Sequence, residues 1–286
     1  MSGVASIDRP LRLAELPRGG PLAPPVVEPL LVRAPSVSHR QVAPGYWLLT
    51  LDAPEIARRA LPGQFAMLTA ARTAESAPVL PRPMALYDWD ERTGTVQILY
   101  GVMGDGTRRM ATWHPPEPMT VVGPLGRGFR LHPATSAVVL VGRGIGTCSL
   151  TALARQACAE GIDVRAIVSA RNDQALVGAD LYRQVGVRDV VEVTDADGTS
   201  PVGSVARRLQ RMLDERPAQQ VFTCGSQRLL RLCATLARAC DATVQVSLEA
   251  HMACGLGYCH GCSTGLPGVA REAPLVCQEG PVFVCA

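Results

Sequence analysis

The stretch "SAVVLVGRGIGTCSLTALA", residues 136–154, runs from a continuous apolar segment through three glycines into a helical pattern. An apolar run of this length bounded by turn residues is typical of a buried strand, and the periodicity after it indicates a helix. Three further strand patterns follow before residue 225, each with its own helical pattern behind it. Strand–helix alternation predicts a doubly wound parallel sheet, which we assign to residues 134–245.

The chain before this stretch has a different pattern of apolar residues. Residues 31–133 contain short β-like runs such as "YWLLTLDA" and "TVQILYGV", punctuated by Gly and Pro, and only "APEIARRAL" has a helical pattern. Several short strands at this spacing predict an antiparallel β-barrel. Six prolines fall within the first 29 residues, so we expect an extended Pro-rich arm over 1–30.

Composition excludes several classes of function. The formal net charge is +3, and the arginines are scattered, whereas nucleic-acid binding needs a basic stripe. No apolar run reaches the length of about 18 residues that a membrane-spanning helix needs. The N-terminus has no continuous apolar segment of the kind that an export signal carries. We therefore expect a cytoplasmic protein that binds neither nucleic acid nor membrane.

The cysteines concentrate in a C-terminal unit, which we assign to residues 246–286. Cys254, Cys259 and Cys262 follow a C-x4-C-x2-C spacing with Cys277 downstream, which is the plant-type ligand pattern for a [2Fe–2S] cluster. Zinc and disulfides are the alternatives, and Cys285 competes as fourth ligand although it lies next to the chain end. The other five look like small buried apolar residues: Cys148, Cys158, Cys224, Cys233 and Cys240.

Two glycine-containing turns are candidates for a nucleotide site in the parallel sheet. Gly142, Gly144 and Gly146 lie between a strand and a helix, where free N–H groups can bind phosphate. Cys224 and Gly225 end the last predicted strand, and the carboxyl ends of parallel strands face the ligand crevice. The spacing is not G-x-G-x-x-G, so the simple dehydrogenase fingerprint is absent, and Cys224 on its own fits a packed residue better than a functional one.

Two segments of the barrel are candidates for a pyrophosphate site. The rigid pair Arg82-Pro83 offers a guanidinium that can contact a pyrophosphate at two points. The segment "GDGT", residues 104–107, offers backbone donors for another phosphate oxygen. A turn arginine and a hairpin loop are the structural alternatives.

The order of these units resembles the electron-transfer subunit of the NAD-linked dihydroorotate dehydrogenases, within the ferredoxin reductase group. The resemblance covers roughly residues 31–284. Its most specific parts are "MACGLGYCHGC" at 252–262 and "CQEGPVF" at 277–283. Supporting motifs are "PGQF" at 62–65, "RPMAL" at 82–86, "GDGT" at 104–107, "GPLGRGF" at 123–129, "GRGIGT" at 142–147 and "CGS" at 224–226.

The resemblance implies a set of cofactors and site residues. An FAD-binding barrel, an NAD-binding domain and a C-terminal [2Fe–2S] loop are expected, with NADP as a possible substitute for NAD. The cluster ligands would be Cys254, Cys259, Cys262 and Cys277. The residues lining FAD would be Arg82, Pro83, Met84, Ala85, Leu99, Tyr100, Gly101, Gly106 and Thr107.

The resemblance also implies a function. Electrons would pass between a partner flavoprotein, an FMN-binding TIM barrel, and NAD(P) through the cluster and FAD, in a hetero-oligomer of the heterotetramer type that serves pyrimidine biosynthesis. We find no pattern for a substrate dehydrogenation site, so no catalytic residue is assigned to this chain. The alternatives are the electron-transfer subunit of a hydrogenase or of an NADH–ferredoxin–NADP oxidoreductase, and a binding module without flavin.

The sequence departs from the family in the flavin strands and in the glycine turn, where Cys148 and Ser149 also replace the prolines that commonly follow. The family has Ser or Thr at the position of Ala85, Arg at Gly101, and Gly at Arg143. Arg171 and Ser169, after the second predicted strand, lie where an adenosine ribose is usually bound, and they would favour NADP. A solvent-facing Arg171 is the alternative, and the family resemblance favours NAD.

Overall fold

The computed structural model describes residues 13–14, 28–73, 80–265 and 273–285. After β1 (Leu13–Ala14), which belongs to the second sheet, seven strands form one antiparallel sheet in the order β5-β4-β8-β2-β3-β7-β6. These strands are β2 (Leu30–Ala43), β3 (Tyr46–Asp52), β4 (Phe65–Thr69), β5 (Arg82–Ala85), β6 (Asp88–Asp90), β7 (Thr95–Gly101) and β8 (Pro118–Leu125). Two short helices accompany them, α1 (Pro54–Ala57) and α2 (Asp105–Met110).

The long strand β2 curves this sheet into a half-barrel. Residues 30–35 pair with β8, whereas residues 36–43 pair with β3 through two register shifts. Bulges of this kind bend a strand and raise its twist. The concave side buries an apolar core that includes Leu49, Leu51, Ile98 and Val121. The predicted antiparallel barrel is confirmed in this half-barrel form.

The second sheet has seven strands in the order β1-β14-β13-β12-β9-β10-β11. Five of them are parallel: β9 (Ala137–Arg143), β10 (Asp163–Ala170), β11 (Asp189–Thr194), β12 (Gln220–Cys224) and β13 (Thr243–Ser247). β14 (Val282–Cys285) is antiparallel to β13. The helices are α3 (Thr151–Ala159), α4 (Ala179–Gln184), α5 (Val202–Glu215) and α6 (Gln227–Ala239). The predicted doubly wound parallel sheet is confirmed.

The glycine turn after β9 differs from the sequence prediction. A 3-10 helix covers Gly144–Leu150, and α3 begins only at Thr151. The Tyr182 hydroxyl donates to the Thr147 carbonyl at 2.8 Å. In an α-helix the Thr147 carbonyl would accept from the Thr151 N–H. Here the Thr151 N–H donates to the Cys148 carbonyl instead. The Thr147 carbonyl thus accepts from Tyr182, while the turn keeps the i→i−3 bond of a 3-10 helix.

The two sheets meet through an apolar contact and an ion pair. Leu48 and Leu99 of the half-barrel pack with Cys148 and Val177 of the second sheet's domain. Nearby, Arg155 of α3 lies 2.8 Å from Asp88 of β6, and its guanidinium lies over the Trp89 ring. This contact places the flavin and nicotinamide candidates of the two domains against one another.

The C-terminal unit is joined to the second sheet at both ends. β13 runs through the predicted boundary at 245/246 to Ser247, and β14 returns beside it, with Ser247 directly opposite Val282. The predicted arm over 1–30 falls mostly outside the described residues, although Leu13–Ala14 pair with β14. Among the residues that the structure describes, no helix is long and apolar enough to cross a membrane.

Candidate redox site

The four predicted cluster cysteines form two thiol pairs. The sulfur atoms of Cys254 and Cys259 lie 3.4 Å apart, and those of Cys262 and Cys277 lie 3.2 Å apart. A [2Fe–2S] cluster has two irons and needs two thiolates for each, whereas one structural zinc ion needs four thiolates around a single centre. Two pairs fit the two-iron group better.

The backbone around these thiols favours their charged form on one side of the site. Burial opposes ionisation of Cys254, but backbone N–H groups, led by that of Leu256, lower its pKa to about 6. The Leu256 N–H points at the Cys254 sulfur from 3.4 Å. On the other side, burial and the neighbouring Cys262 thiol raise the pKa of Cys277 to about 12. N–H groups aimed at sulfur are the donors that an anionic iron–sulfur centre needs.

Cys285 belongs to neither thiol pair among the hydrogen bonds of the described residues. Cys285 lies in β14 with 9% of its surface exposed and belongs to the same apolar core as Cys233. The Cys285 thiol contributes to the raised pKa of Cys233. Burial raises the pKa of Cys285 to about 12. Cys277 is the cysteine whose sulfur lies beside that of Cys262, and its role as fourth ligand stays a prediction.

The cluster loop lies directly on the half-barrel. A Cβ atom placed on Gly255 would be 2.5 Å from Met67 Cγ and 3.4 Å from Leu125 Cδ1. Met67 is paired with Pro83, the residue beside Arg82. The opposite side of the loop faces solvent, with Tyr258 86% exposed. The loop is thus bounded by the predicted flavin strand on one side and by open surface on the other.

The two predicted pyrophosphate elements come together on the half-barrel. Arg82 lies on β5, and its guanidinium covers Gly106 in the first turn of α2, where an added Cβ would lie 2.0 Å from Arg82 Nε. Arg82 Nη1 donates to the Leu80 carbonyl at 2.8 Å, which fixes the side chain. A guanidinium held beside a Gly-containing turn fits the phosphate groups of FAD.

Thr107 serves the turn itself. Its hydroxyl oxygen accepts the N–H groups of Met103 at 2.8 Å and Gly104 at 3.1 Å, and it donates to the Gly104 carbonyl. These bonds hold the start of α2, a helix where the sequence pattern indicated a loop. A direct contact of Thr107 with FAD remains a prediction.

The other predicted flavin residues divide between two faces. On β5, Pro83, Met84 and Ala85 are half-buried and pair with β4. On β7, Leu99 faces the second domain, whereas Tyr100 is 2% exposed and its hydroxyl lies 2.9 Å from His39 Nε2 inside the barrel. Tyr100 can therefore offer only its backbone. Gly101 lies opposite Tyr46, whose ring would be 3.4 Å from an added Cβ.

The two predicted nicotinamide turns are in contact. Gly142 and Cys224 are register partners at the carboxyl ends of β9 and β12, where the strand order reverses. A Cβ on Gly146 would lie 2.6 Å from Gly225 Cα, and Gly225 has φ +93. Gly144 has open space around its Cα. This crevice is the position at which doubly wound sheets bind nucleotides.

Sequence reasoning missed the polar groups around Cys224. Burial raises the pKa of this thiol to about 12, with the Glu249 carboxyl adding to the effect. The Ser149 and Ser247 hydroxyls act in the opposite sense on the Cys224 pKa, the Ser149 hydroxyl itself donates to the Gly146 carbonyl at 2.8 Å, and burial raises the pKa of Glu249. Glu249 comes from the segment after β13, so only the sheet order brings it to the end of β12. The adjacency of Glu249 to the cysteine motif is the one sequence signal that points to it.

Arg143 does not fill the glycine turn. Its guanidinium donates sideways to the Ser169 hydroxyl at 2.7 Å and to Asp195 at 2.6 Å. The hydrogen bond from Arg143 lowers the pKa of Asp195. Arg171 is exposed, as its structural alternative predicted. Ser169 is thus engaged with Arg143, a residue that the sequence pattern did not connect to it.

Comparison with known proteins gives consistent relatives. A family model for the iron-sulfur cluster binding domain of dihydroorotate dehydrogenase B matches residues 249–285. The dihydroorotate dehydrogenase B (NAD(+)) electron transfer subunit of Geobacillus kaustophilus is 32% identical over 250 residues, covering 86% of this chain and 93% of the relative. The subunit of the same name from Desulforamulus reducens is 30% identical over 243 residues, covering 85% and 92%.

Solved structures share the fold. An NADH-dependent reduced ferredoxin-NADP oxidoreductase structure aligns with TM-score 0.74 and 21% identity, covering 88% of each chain. Phthalate dioxygenase reductase aligns with TM-score 0.55 and 19% identity, covering 73% of this chain and 64% of that one. Because the two electron transfer subunits named above are 30% and 32% identical over most of both chains, this chain belongs to the family of dihydroorotate dehydrogenase B electron transfer subunits.

Proposed function

We propose that this chain is an iron–sulfur flavoprotein subunit that passes electrons between a partner flavoprotein dehydrogenase and NAD(P). The observation that carries the proposal is the contact between Gly255 of the cluster loop and Met67 of β4, the strand beside the Arg82 strand. This contact puts the thiol pairs next to the flavin candidates, and the flavin candidates lie next to the nicotinamide crevice. The three sites thus follow one another along the molecule.

The residues present fit the three groups. The thiol pairs would hold [2Fe–2S], Arg82 and the Gly106 turn would hold the FAD pyrophosphate, and the Gly142–Gly146 turn would hold that of NAD(P). When bound, such a cluster carries single electrons and a flavin exchanges a hydride with nicotinamide. The protein supplies position: N–H groups aimed at sulfur, a fixed guanidinium, and an apolar domain contact that excludes water.

The chain's own groups at the crevice define what it can do with protons. Cys224 is buried, and burial raises its pKa to about 12, so its thiol stays protonated at neutral pH. Cys224 lies at the end of β12, opposite Gly142 of the glycine turn. No carboxylate or histidine is assigned a role in oxidising an organic substrate. That step belongs to the partner in this proposal.

The partner is proposed to be an FMN-containing TIM-barrel dehydrogenase acting on dihydroorotate, in a cytoplasmic hetero-oligomer. The relatives are named as electron transfer subunits of dihydroorotate dehydrogenase B, which supports this assignment. The solvent side of the cluster loop, with Tyr258 86% exposed, is the surface offered to the partner. In this arrangement electrons enter at the loop and leave at the crevice.

Co-purification tests the proposal. The chain is co-expressed with an FMN-containing dihydroorotate dehydrogenase subunit, and the isolated complex is mixed with dihydroorotate and NAD under anaerobic conditions. We expect NADH to form, with the chain's flavin and cluster reduced before NADH appears. If the complex forms NADH equally well when Cys259→Ala removes the cluster, electrons do not pass through this chain as proposed.

A further inference from the structure

The carboxyl ends of β9, β10 and β11 are joined by Arg143, Ser169 and Asp195, which we call the 143–169–195 network. Arg143 Nη1 donates to the Ser169 hydroxyl at 2.7 Å, and Arg143 Nη2 donates to Asp195 Oδ2 at 2.6 Å. Ser169 is 1% exposed, whereas the Asp195 side chain is 52% exposed. The network therefore presents a carboxylate to solvent at the ligand edge of the sheet.

The Asp195 carboxylate is held in a fixed position. Its own N–H donates to the Ala170 carbonyl at 3.0 Å, and the N–H of Ala196 donates to the Arg171 carbonyl at 3.0 Å. The Ser200 hydroxyl donates to Asp195 Oδ1. Arg228 at the start of α6 is a further cation that acts on Asp195. A carboxylate fixed by its backbone and by two side chains is preorganised for hydrogen bonding.

The position of the network corresponds to the adenosine half of a dinucleotide. The strand order β11-β10-β9-β12-β13 repeats the order 3-2-1-4-5 of doubly wound nucleotide-binding sheets. In such sheets an acidic residue near the end of the second strand accepts the ribose hydroxyls of NAD, and an arginine accommodates the 2′-phosphate of NADP. Here the second strand, β10, carries Ser169 next to its last residue, and the carboxylate comes from Asp195, the residue after β11.

We propose that Asp195 makes this chain prefer NAD over NADP, by accepting the adenosine ribose hydroxyls and by keeping Arg143 in an ion pair. The inference rests on the proposed nicotinamide role and names the residue that selects the nucleotide. A 2′-phosphate would lie against a fixed negative charge, and Arg143 would have to leave Asp195 to neutralise it. Ser169 is buried and accepts a hydrogen bond from Arg143, so it holds the guanidinium beside Asp195.

Arg143 thereby replaces Arg171 as the arginine of the adenosine end. Arg171 is exposed, and its carbonyl is tied to the Ala196 N–H. Arg143 is the residue whose guanidinium reaches both Ser169 and the carboxylate. Without Asp195, Arg143 would be free to pair with a 2′-phosphate, so one substitution should both remove a repulsion and release a cation.

The test measures nucleotide binding at equilibrium. NAD and NADP are titrated into the full chain, purified with its cofactors, by isothermal calorimetry. Wild type should bind NAD about tenfold more tightly than NADP, and Asp195→Asn should tighten NADP binding by about tenfold while weakening NAD binding only slightly. Adding Arg143→Leu to Asp195→Asn should remove the gain for NADP. Asp197→Asn, an exposed carboxylate two residues further on, is the matched control and should keep the wild-type ratio.

Three outcomes would overturn the inference. If both nucleotides bind and Asp195→Asn leaves their ratio unchanged, Asp195 does not select the nucleotide, although the nicotinamide role stands. A wild-type chain that binds NADP more tightly than NAD would likewise remove the selecting role of Asp195. Binding of neither nucleotide to wild type would remove the nicotinamide role, and the inference with it. Circular dichroism melting of each variant shows that a change in binding does not come from unfolding.

Discussion

Gly255 of the cluster loop lies so close to Met67 of β4 that an added Cβ would come within 2.5 Å of Met67 Cγ. Gly255→Ala should therefore push the loop away from the flavin side and slow electron transfer between cluster and flavin by roughly tenfold or more, since small displacements of reacting groups carry large rate penalties. Stopped-flow absorbance after mixing with the reduced nucleotide measures this rate.

The control for that variant is Gly265→Ala. Gly265 has φ +64, close to the +69 of Gly255, but nothing lies within 4 Å of its added Cβ. Both variants thus carry a similar backbone strain, but only the Gly255→Ala methyl group clashes with a neighbouring side chain. Equal slowing in the two would show that the contact with Met67 does not position the cluster.

The ligand set should be decided by two cysteine variants. Cys259→Ala removes one member of the exposed thiol pair and should abolish the brown colour and the reduced-state EPR signal. Cys285→Ala changes a buried β14 residue and should keep about two irons per chain. Iron and sulfide analysis of the anaerobically purified proteins measures both. Loss of iron in Cys285→Ala, with a normal melting curve, would contradict the assignment of Cys277.

FAD retention should depend on Arg82 and on the space it occupies. Arg82→Ala removes a charge-assisted contact worth about 1.5–3 kcal/mol and should weaken FAD binding by roughly tenfold or more. Gly106→Ala should have a similar effect, because its Cβ would lie 2.0 Å from Arg82 Nε. Gly104→Ala, with nothing within 4 Å, is the control. Fluorescence of flavin released during dialysis reports the loss, and undiminished retention in Arg82→Ala would argue against a contact between Arg82 and the FAD pyrophosphate.

Thiol reactivity should reveal the electrostatics of the cluster-free loop. The pKa of Cys254 is lowered to about 6, so its reactive thiolate forms as the pH rises through that value and is already dominant at neutral pH. Burial and the Cys262 thiol raise the pKa of Cys277 to about 12, so Cys277 stays protonated and unreactive. Iodoacetamide labelling from pH 5 to 8, read by peptide mass spectrometry, should show Cys254 labelling that levels off above neutral pH. Labelling of Cys277 at a similar rate would contradict this prediction.

The contact between the two nicotinamide turns should be visible in stability. Gly225→Ala places a Cβ 2.2 Å from the Arg143 carbonyl oxygen at φ +93, whereas Gly144→Ala meets nothing within 4 Å at φ +54. Both substitutions carry a left-handed backbone cost, but only the first adds a clash. We expect Gly225→Ala to lower the free energy of unfolding by about 2 kcal/mol more than Gly144→Ala. Urea denaturation of the two variants measures the difference, which would vanish if the turns do not touch in solution.

Local patterns predicted what depends on neighbours in sequence. The spacing of Cys254, Cys259 and Cys262, the strand patterns and the order of the domains all follow from periodicity or motif, and the structure confirms the fold. The direction of side chains could not be predicted in the same way. Tyr100 turns into the barrel because its hydroxyl meets His39, and Arg143 turns away from the glycine turn because Ser169 and Asp195 accept its hydrogen bonds.

Long-range pairs are also beyond the sequence alone. Glu249 reaches Cys224 only because β13 lies beside β12, and Gly106 meets Arg82 only because the half-barrel brings β5 to the first turn of α2. The hydroxyl that bonds to the Thr147 carbonyl in the 3-10 turn belongs to Tyr182, which lies on another helix. Each of these features is fixed by a partner distant in sequence, which one local pattern does not contain.

Ser247 and Val282, where the cluster segment leaves and re-enters the second sheet, are paired directly across β13 and β14, and the next residue adds a bond from the Leu248 N–H to the Pro281 carbonyl at 2.9 Å. A carrier domain on a single tether must diffuse between its donor and its acceptor, so thicker solvents slow it. The cluster segment is joined at both ends to the same sheet, so it does not need to diffuse between donor and acceptor. Electrons should cross between its cluster and the flavin by tunnelling over a constant gap, at a rate that glycerol or sucrose leaves unchanged.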